Sequence, residues 1–346
     1  MMTKFEQLLE NITREHVYIQ THNFPDPDAI ASAYGLQQLL KYRGIRADIC
    51  YKGKIDRYNT DKLRELMEIE LLDVENLADI LQEEDEVILV DAQKGNSNII
   101  DITGDEVICI DHHPVNDSFS YRFADIRPEI GACASIIASY FFENEIPMDT
   151  KTATTLTFGI RMDTMNLSRG VSKLDVEMIY RMFDLCDQEV IHMLQNSNLY
   201  FEDLMAYSQA ISSIQVYGYV SFADAGKNCP GALIASVSDF MLALVTVAFS
   251  VVYSRNEEGI KLSVRSEKKI YDAGKITSRA LKGMGSGGGH ASMAGGFVPF
   301  TGSDREAQLF VSKIKERFIA EIGRIDAEGK KYPAENGSYK REKRKC

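Results

Sequence analysis

Residues Thr21 to Gly35 read "THNFPDPDAIASAYG", directly after the apolar run "HVYIQ" of His16 to Gln20. An aromatic and β-branched run that stops at His22, Asp26 and Asp28 and then gives way to "AIASAYGLQQLLKYRG" spells a strand, a charged loop and a helix. Pro25 and Pro27 keep Phe24 and Asp26 out of the α region, because the proline ring collides with the preceding residue in that conformation. The loop is therefore read as extended, so that Asp26 and Asp28 need not share a helical face and one motif can feed two ions. Asp28 taken alone reads equally well as the N-cap of the following helix.

The same alternation continues outward from this stretch. "RADICYK", "EVILVD" and "EVICID" are short apolar strands separated by helical or acidic amphipathic segments, the pattern of a parallel sheet covered on both faces. Three strands end in acid: the first in His22, Asp26 and Asp28, "EVILVDAQ" in Asp91, and "EVICIDHHP" in Asp111, His112 and His113. Ligands of open α/β sheets gather outside the carboxyl ends of the strands, and strand interiors this apolar cannot hold a carboxylate. Carboxylates converging there repel one another unless cations lie between them. Oxygen and imidazole donors suit Mn²⁺ or another borderline first-row ion better than Ca²⁺ or a thiolate zinc site. Asp163 adds a fourth acid at the end of the helical run "TATTLTFGIRMD", where the negative end of the dipole disfavours it and a metal partner would account for it.

From Gln188 to Gln215 the chain has helical spacing without Gly or Pro, and it reads as a helical connector. The strand pattern then restarts with "VYGYVSFAD", "VAFSVVYS" and "GIKLSVRS", followed by a helix, a glycine cluster, "GFVPF" and a last helix. The fold class is thus α/β: a parallel, Rossmann-like sheet domain with a metal site (1–187), a helical connector (188–215), a smaller mixed-sheet α/β domain (216–325) and a basic tail (326–346). The cluster "KGMGSGGGHASMAGG", Lys282 to Gly296, contains G-x-G-x-x-G across Gly283, Gly285 and Gly288, but it follows a helix rather than a strand, which excludes a dinucleotide fingerprint. It reads as a loop whose backbone N–H groups approach an anion, with His290 at its end. Arg265 in "KLSVRSE" alternates outward on a strand, as either a surface ion pair or a phosphate contact.

Composition limits the partners. The 346 residues carry a net charge of −12, which argues against a broad basic face for long duplex nucleic acid. The closing "KREKRKC" reads as a solvated end rather than a binding arm. The longest apolar stretch, "FMLALVTVAFSVVY" from Phe240 to Tyr253, falls short of the ~18 to 20 residues of a membrane span, and the charged, amphipathic N-terminus is no secretion signal. Six cysteines without a C-x-x-C pair suit buried, reduced thiols and a cytoplasmic address.

The ordered set "HNFPDPDA", "VDAQ", "DHHP", "GIRMDT" and "GGGHASMAGG" resembles the DHH phosphoesterase family, in its two-domain form with a DHH-associated C-terminal domain. The resemblance runs from about Val17 to Phe297 and is nearest to nanoRNases that also remove phosphate from 3′-phosphoadenosine 5′-phosphate, and to phosphodiesterases of cyclic dinucleotides or their linear products. It implies two divalent ions, one held by His22, Asp26 and Asp91 and the other by Asp28, Asp91, His112 and Asp163. It further implies that Asp111 orients the neighbouring histidines, that His113 meets the scissile phosphate, and that Arg265 with Gly287, Gly288, Gly289 and His290 holds the substrate's other end. The expectation is a manganese-dependent two-metal hydrolase with no protein nucleophile. Its substrates would be short nucleotides, their length measured by an interdomain cleft. An exopolyphosphatase or pyrophosphatase of the same fold is the alternative; a non-catalytic nucleotide sensor would be marked by loss of a ligand, and a homodimer stays open. Met165, Leu167 and Arg169 depart from the glycine and aromatic common after the Asp-Thr pair and bear on substrate choice. His16 and His192 are assigned no role.

Overall fold

The computed structural model describes residues 2–327 except 56–57, 78–79, 97, 197–198 and 269; all but the first two residues of the basic tail lie outside the described residues. The chain divides into two units, Met1–Asn198 and Leu199–Cys346.

Unit 1 runs α1 (Lys4–Glu10), β1 (His16–Gln20), α2 (Pro27–Tyr42), β2 (Arg46–Tyr51), α3 (Tyr58–Leu66), β3 (Leu72–Asp73), β4 (Glu86–Val90), β5 (Asp105–Asp111), β6 (Phe123–Ile126), α4 (Cys133–Glu143), α5 (Thr150–Asp163), α6 (Lys173–Met182) and α7 (Gln188–Asn196). Its six strands are all parallel, in the order β3-β2-β1-β4-β5-β6. The order reverses between β1 and β4, and the crevice at their carboxyl ends is where an open α/β sheet takes its ligand. Both sheet faces are apolar because successive side chains point to opposite sides. Val17, Ile19, Ile88, Val90, Ile108 and Ile110 meet α2, α4 and α5 in one core. Tyr18, Val87, Leu89 and Cys109 face the other way, and that face is closed by Val74, Leu77, Leu81 and neighbouring loop residues rather than by a layer of long helices.

Two helices carry site residues, and a small residue lets them touch. A Cβ on Gly159 of α5 would lie 2.7 Å from the Ala31 Cβ of α2, so only glycine lets the two approach this closely. Substitution of Gly159 would therefore push apart the helices that bear Asp28 and Asp163.

Unit 2 runs α8 (Leu204–Ser213), β7 (Gln215–Tyr217), β8 (Val220–Lys227), α9 (Gly231–Leu242), β9 (Phe249–Arg255), β10 (Gly259–Ser266), α10 (Ala273–Leu281), β11 (Ser286–Gly289), β12 (Met293–Pro299) and α11 (Asp304–Ala327). The sheet is mixed: order β11-β12-β10-β9-β8-β7, with β8 and β9 parallel and the other neighbours antiparallel. Ile276 and Phe318 from α10 and α11 fill one core, and Ala206, Ala210, Ile234 and Val237 from α8 and α9 fill a second. The apolar run from Phe240 to Tyr253 ends α9 and then forms β9, and no helix among the described residues is long and apolar enough to cross a membrane.

The stretch Gln188 to Gln215, read as one connector, is two helices. Leu194 of α7 packs into unit 1, whereas Ala206 and Ala210 of α8 pack into unit 2.

Candidate metal centre

The loop after β1 builds the first part of the centre. Asp26 is extended (φ −94°, ψ −179°) and its Oδ1 accepts from the amides of Asp28 (2.9 Å) and Ala29 (3.1 Å), which makes Asp26 the N-cap of α2, with Pro27 first in the helix. Asp28 is therefore not the cap of its own helix. Its carboxylate reaches across to the start of α4 and accepts from the amides of Cys133 (2.7 Å) and Ala134 (2.9 Å), where the formal cap residue Ala132 offers no side-chain acceptor. Phe24 is held out of the right-handed α region as expected, but it sits in the left-handed region at φ 56° rather than in an extended one.

All six residues read as metal ligands converge in unit 1. The candidate ligand atoms of His22, Asp26 and Asp91 lie within 4.8 Å of one another, and so do those of Asp28, His112 and Asp163 and those of Asp91, His112 and His113. His22 Nε2 is 3.6 Å from Asp91 Oδ2 and 3.9 Å from Asp26 Oδ1. His112 Nε2 is 3.3 Å from Asp91 Oδ1, 3.4 Å from Asp163 Oδ2 and 3.9 Å from Asp28 Oδ2. Asp91 is thus common to both ends of the cluster.

Each imidazole is fixed in the tautomer a cation requires. His22 Nδ1 lies 2.9 Å from the Asn23 carbonyl and His112 Nδ1 lies 3.2 Å from the Ile130 carbonyl. A carbonyl only accepts, so Nδ1 carries a proton, and Nε2 is left as the nitrogen that faces the carboxylates and would donate its lone pair to a cation among them.

The charges strain one another without a cation. Burial disfavours the His22 imidazolium, but hydrogen bonding and charge from Asp26, with the charge of Asp91, outweigh it and hold its pKa up at about 10. Burial likewise opposes charge on His112, and the Asp91, Asp163 and Asp28 carboxylates drive its pKa well above the usual imidazole value. Asp28 is raised well above the carboxylate range, first by burial and then by Asp91 and Asp163. Burial raises Asp163 to about 6 despite the attraction of His112. Asp91 is 2% exposed, yet its Oδ1 accepts no hydrogen bond from any described residue, and its backbone holds φ 58°. The nearest nitrogen, His112 Nε2, is 3.3 Å away without forming a hydrogen bond; a buried carboxylate oxygen so poorly satisfied is costly, and in this setting of oxygen and imidazole groups a divalent cation is the partner that fits.

A second layer of residues holds these in place. His113 Nδ1–H donates to Asp111 Oδ1 (2.8 Å), and the His112 amide donates to the same oxygen (2.8 Å). Burial would raise the pKa of Asp111, but these contacts hold it below the ordinary range. Gln93 was not singled out from the sequence: its Nε2–H₂ donates to Asp111 Oδ2 (2.6 Å) and to the Pro114 carbonyl (3.1 Å), and its Oε1 accepts from the Asn116 amide (2.7 Å). The signal was present as the last letter of "VDAQ". Asp175 was also missed. It caps α6 from the pair Ser172 and Asp175, and it takes the Gly131 amide (2.9 Å) and the Ser135 hydroxyl, which locks the loop carrying the Ile130 carbonyl.

Arg265 and the glycine cluster belong to unit 2, and two expectations about them change. Arg265 does not point into solvent: it is 6% exposed, its Nε–H donates to Asp239 of α9 (2.7 Å), and Nη1 donates to Ser263 Oγ (3.0 Å) and the Val264 carbonyl (3.2 Å). Strand alternation gave the right face, and α9 lies over that face. Residues Gly287, Gly288 and Gly289 form the edge strand β11 rather than a loop, in antiparallel register with Gly296, Gly295 and Ala294. The pairing spares the glycines a turn, and α10 packs closely on the strand: a Cβ on Gly287 would lie 2.7 Å from Thr277 Cγ2, a Cβ on Gly274 would lie 2.1 Å from the Gly289 carbonyl, and the Gly274 amide donates to the His290 carbonyl (2.9 Å).

The chain is similar to known proteins in sequence and in fold. The pattern of the DHH family, N-terminal domain, matches residues 16–160 and that of the DHHA1 domain matches residues 215–320. The chain is a two-domain member of the DHH family. An uncharacterised protein of Methanocaldococcus jannaschii is 30% identical to it over 88% of this chain and 64% of its own length. A probable bifunctional oligoribonuclease and PAP phosphatase NrnA of Streptococcus mutans is 27% identical over 47% of this chain and 50% of its own. The chain thus spans between half and two thirds of the length of these two relatives. Its DHH fold matches the crystal structure of an exopolyphosphatase-related protein from Bacteroides fragilis, with a TM-score of 0.74, 20% identity and coverage of 92% of this chain and 97% of that one.

Proposed function

We propose that this DHH protein is a manganese-dependent phosphoesterase that uses two cations to hydrolyse short nucleotides: short oligoribonucleotides, pApA-like dinucleotides or 3′-phosphoadenosine 5′-phosphate. The observation that carries the reading is Asp91, a buried carboxylate shared by two ligand groups and left with an unsatisfied oxygen. His22, Asp26 and Asp91 would hold one cation, and Asp28, Asp91, His112 and Asp163 the other. Divalent cations bound there supply charge that acidifies water and offsets the charge on phosphoryl oxygens.

The chain's own groups do the rest. His113 is held by Asp111, whose carboxylate favours the protonated ring against the cost of burial, and it offers that ring to the phosphoryl group. Asp111 is in turn fixed by Gln93. Cys133 supplies no nucleophile, because burial beside Asp91 and Asp28 drives its thiol pKa well up. In unit 2 Arg265 keeps Nη2 without an acceptor among the described residues, a donor suited to a substrate phosphate. The net charge of −12 favours short substrates over long strands, whose binding draws on many phosphate contacts.

The test is a panel with Mn²⁺: pApA, dinucleotide RNA, 3′-phosphoadenosine 5′-phosphate, cyclic di-AMP and long-chain polyphosphate, followed by release of phosphate or mononucleotide. Turnover of at least one short nucleotide, with polyphosphate untouched, is the expected result. Phosphate released from polyphosphate alone would overturn the reading.

A further inference from the structure

The turn after Asp163 places three successive non-glycine residues in the left-handed region: Met165 at φ 46°, Asn166 at φ 54° and Leu167 at φ 62°. L residues visit this region singly, Asn with least cost and Met and Leu with more, so a run of three persists only where the surroundings force it. Thr164, fully buried, is what forces it. Its hydroxyl donates to the Ile160 carbonyl (2.5 Å) and accepts from the Leu167 amide (3.2 Å), while its carbonyl accepts from the amides of both Ser168 and Arg169 (2.9 Å each). The Asn166 amide donates to the Arg161 carbonyl (2.7 Å), and its side chain bonds Gln195 of α7. The chain is wound back until Arg169 is bonded to the residue next to Asp163. Just beyond it, the Gly170 carbonyl lies 2.9 Å from where a Cβ on Gly131 would sit, in the loop that fixes His112. The turn is therefore clamped between the helix end that carries Asp163 and the loop that fixes His112.

Such a clamp puts a permanent cation beside a centre built for cations. The charge of Arg169 is felt at Asp163, where it opposes the effect of burial. Once Asp163 serves a metal, a guanidinium next to it meets like charge, and the arrangement is favourable when an anion joins them. We propose that the left-handed turn sets Arg169 as an arm that grips non-bridging oxygens of the phosphoryl group being hydrolysed. The inference rests on the phosphoesterase reading above. A planar fork meets a phosphate with two parallel donors, which lysine cannot do.

The experiment compares Arg169→Gln, Arg169→Lys and Leu167→Gly with the native chain in three readouts: kcat/KM on the substrate the panel identifies, the Mn²⁺ dissociation constant, and the affinity of the Mn²⁺-loaded protein for inorganic phosphate. Arg169→Gln should lose roughly 10- to 100-fold in kcat/KM, the scale of one charge-assisted hydrogen bond, with a parallel loss of phosphate affinity and an unchanged Mn²⁺ constant. Arg169→Lys should recover part of both. Leu167→Gly releases the left-handed turn and removes a partly buried side chain packed against the unit 1 core, so it should melt somewhat lower and turn over several-fold more slowly with its Mn²⁺ constant unchanged. Phosphate affinity and kcat/KM within about twofold of native in Arg169→Gln would overturn the proposal, as would a loss that merely follows weakened Mn²⁺ binding, the mark of a structural ion pair with Asp163. If no nucleotide is turned over while phosphate binding still depends on Arg169, the functional reading fails and the arm stands.

Discussion

Asp91→Asn is expected to lower the release of product from a short nucleotide by at least about 10³-fold, a barrier increase of several kcal/mol. Asparagine is the informative replacement because Asp91 sits at φ 58°, where Asn is tolerated and Ala is not. The backbone is preserved and the shared charge is removed. Steady-state kinetics with titrated Mn²⁺ gives the answer: a loss that excess metal does not restore supports the role of Asp91 as the shared ligand, and native turnover would refute it.

Asp163→Asn should have effects of opposite sign on activity and on stability. Activity should fall by about 10²-fold or more, because one candidate ligand goes. The metal-free protein should become more stable. Asp163 is raised from 3.8 to about 6 by burial, even with His112 beside it, so the folded state binds its proton more tightly than the unfolded chain does. That contribution is fully present below pH ~4 and is lost as pH rises through about 6. Above pH 6 the native chain carries a disfavoured carboxylate that the amide lacks, a difference of about 1–3 kcal/mol. Thermal melts of both metal-free proteins at pH 4, 6 and 8 check this: the advantage of the variant should be absent at pH 4 and full at pH 8. An equal loss of stability at every pH would mean that Asp163 acts through packing alone.

The acids at the strand ends were legible because the apolar runs "VILV" and "VICI" leave no place for a carboxylate, so the acid that follows each marks both the end of a strand and the edge of the sheet. Parallel pairing and a short alternation of strands and helices then bring those ends together. Roles made by distant contacts were not legible. Asp28 caps α4 over a separation of 105 residues, and Gln93 reaches Asp111 over 18. Neither contact leaves a local trace. The N-cap fell on Asp26 because Pro27 takes the first helical position, a preference that decides between two aspartates once the helix start is known. Glycine signals a turn in isolation, but the antiparallel partner β12 drew Gly287–Gly289 into a strand. Alternation gave the face of Arg265, yet only the fold shows that α9 covers it with Asp239. The junction of α9 and β9 was hidden for a related reason: a continuous apolar run has no period to break where a helix and a strand are both buried.

The proposed chemistry turns on Asp91 lying between two cations. Crystals grown with Mn²⁺ and measured at the manganese absorption edge test it most directly. Two anomalous peaks per chain are expected, one beside His22 and Asp26, the other beside Asp28, His112 and Asp163, with Asp91 touching both. A map with no peak at these carboxylates, or with a single peak that leaves Asp91 uncoordinated, would contradict it.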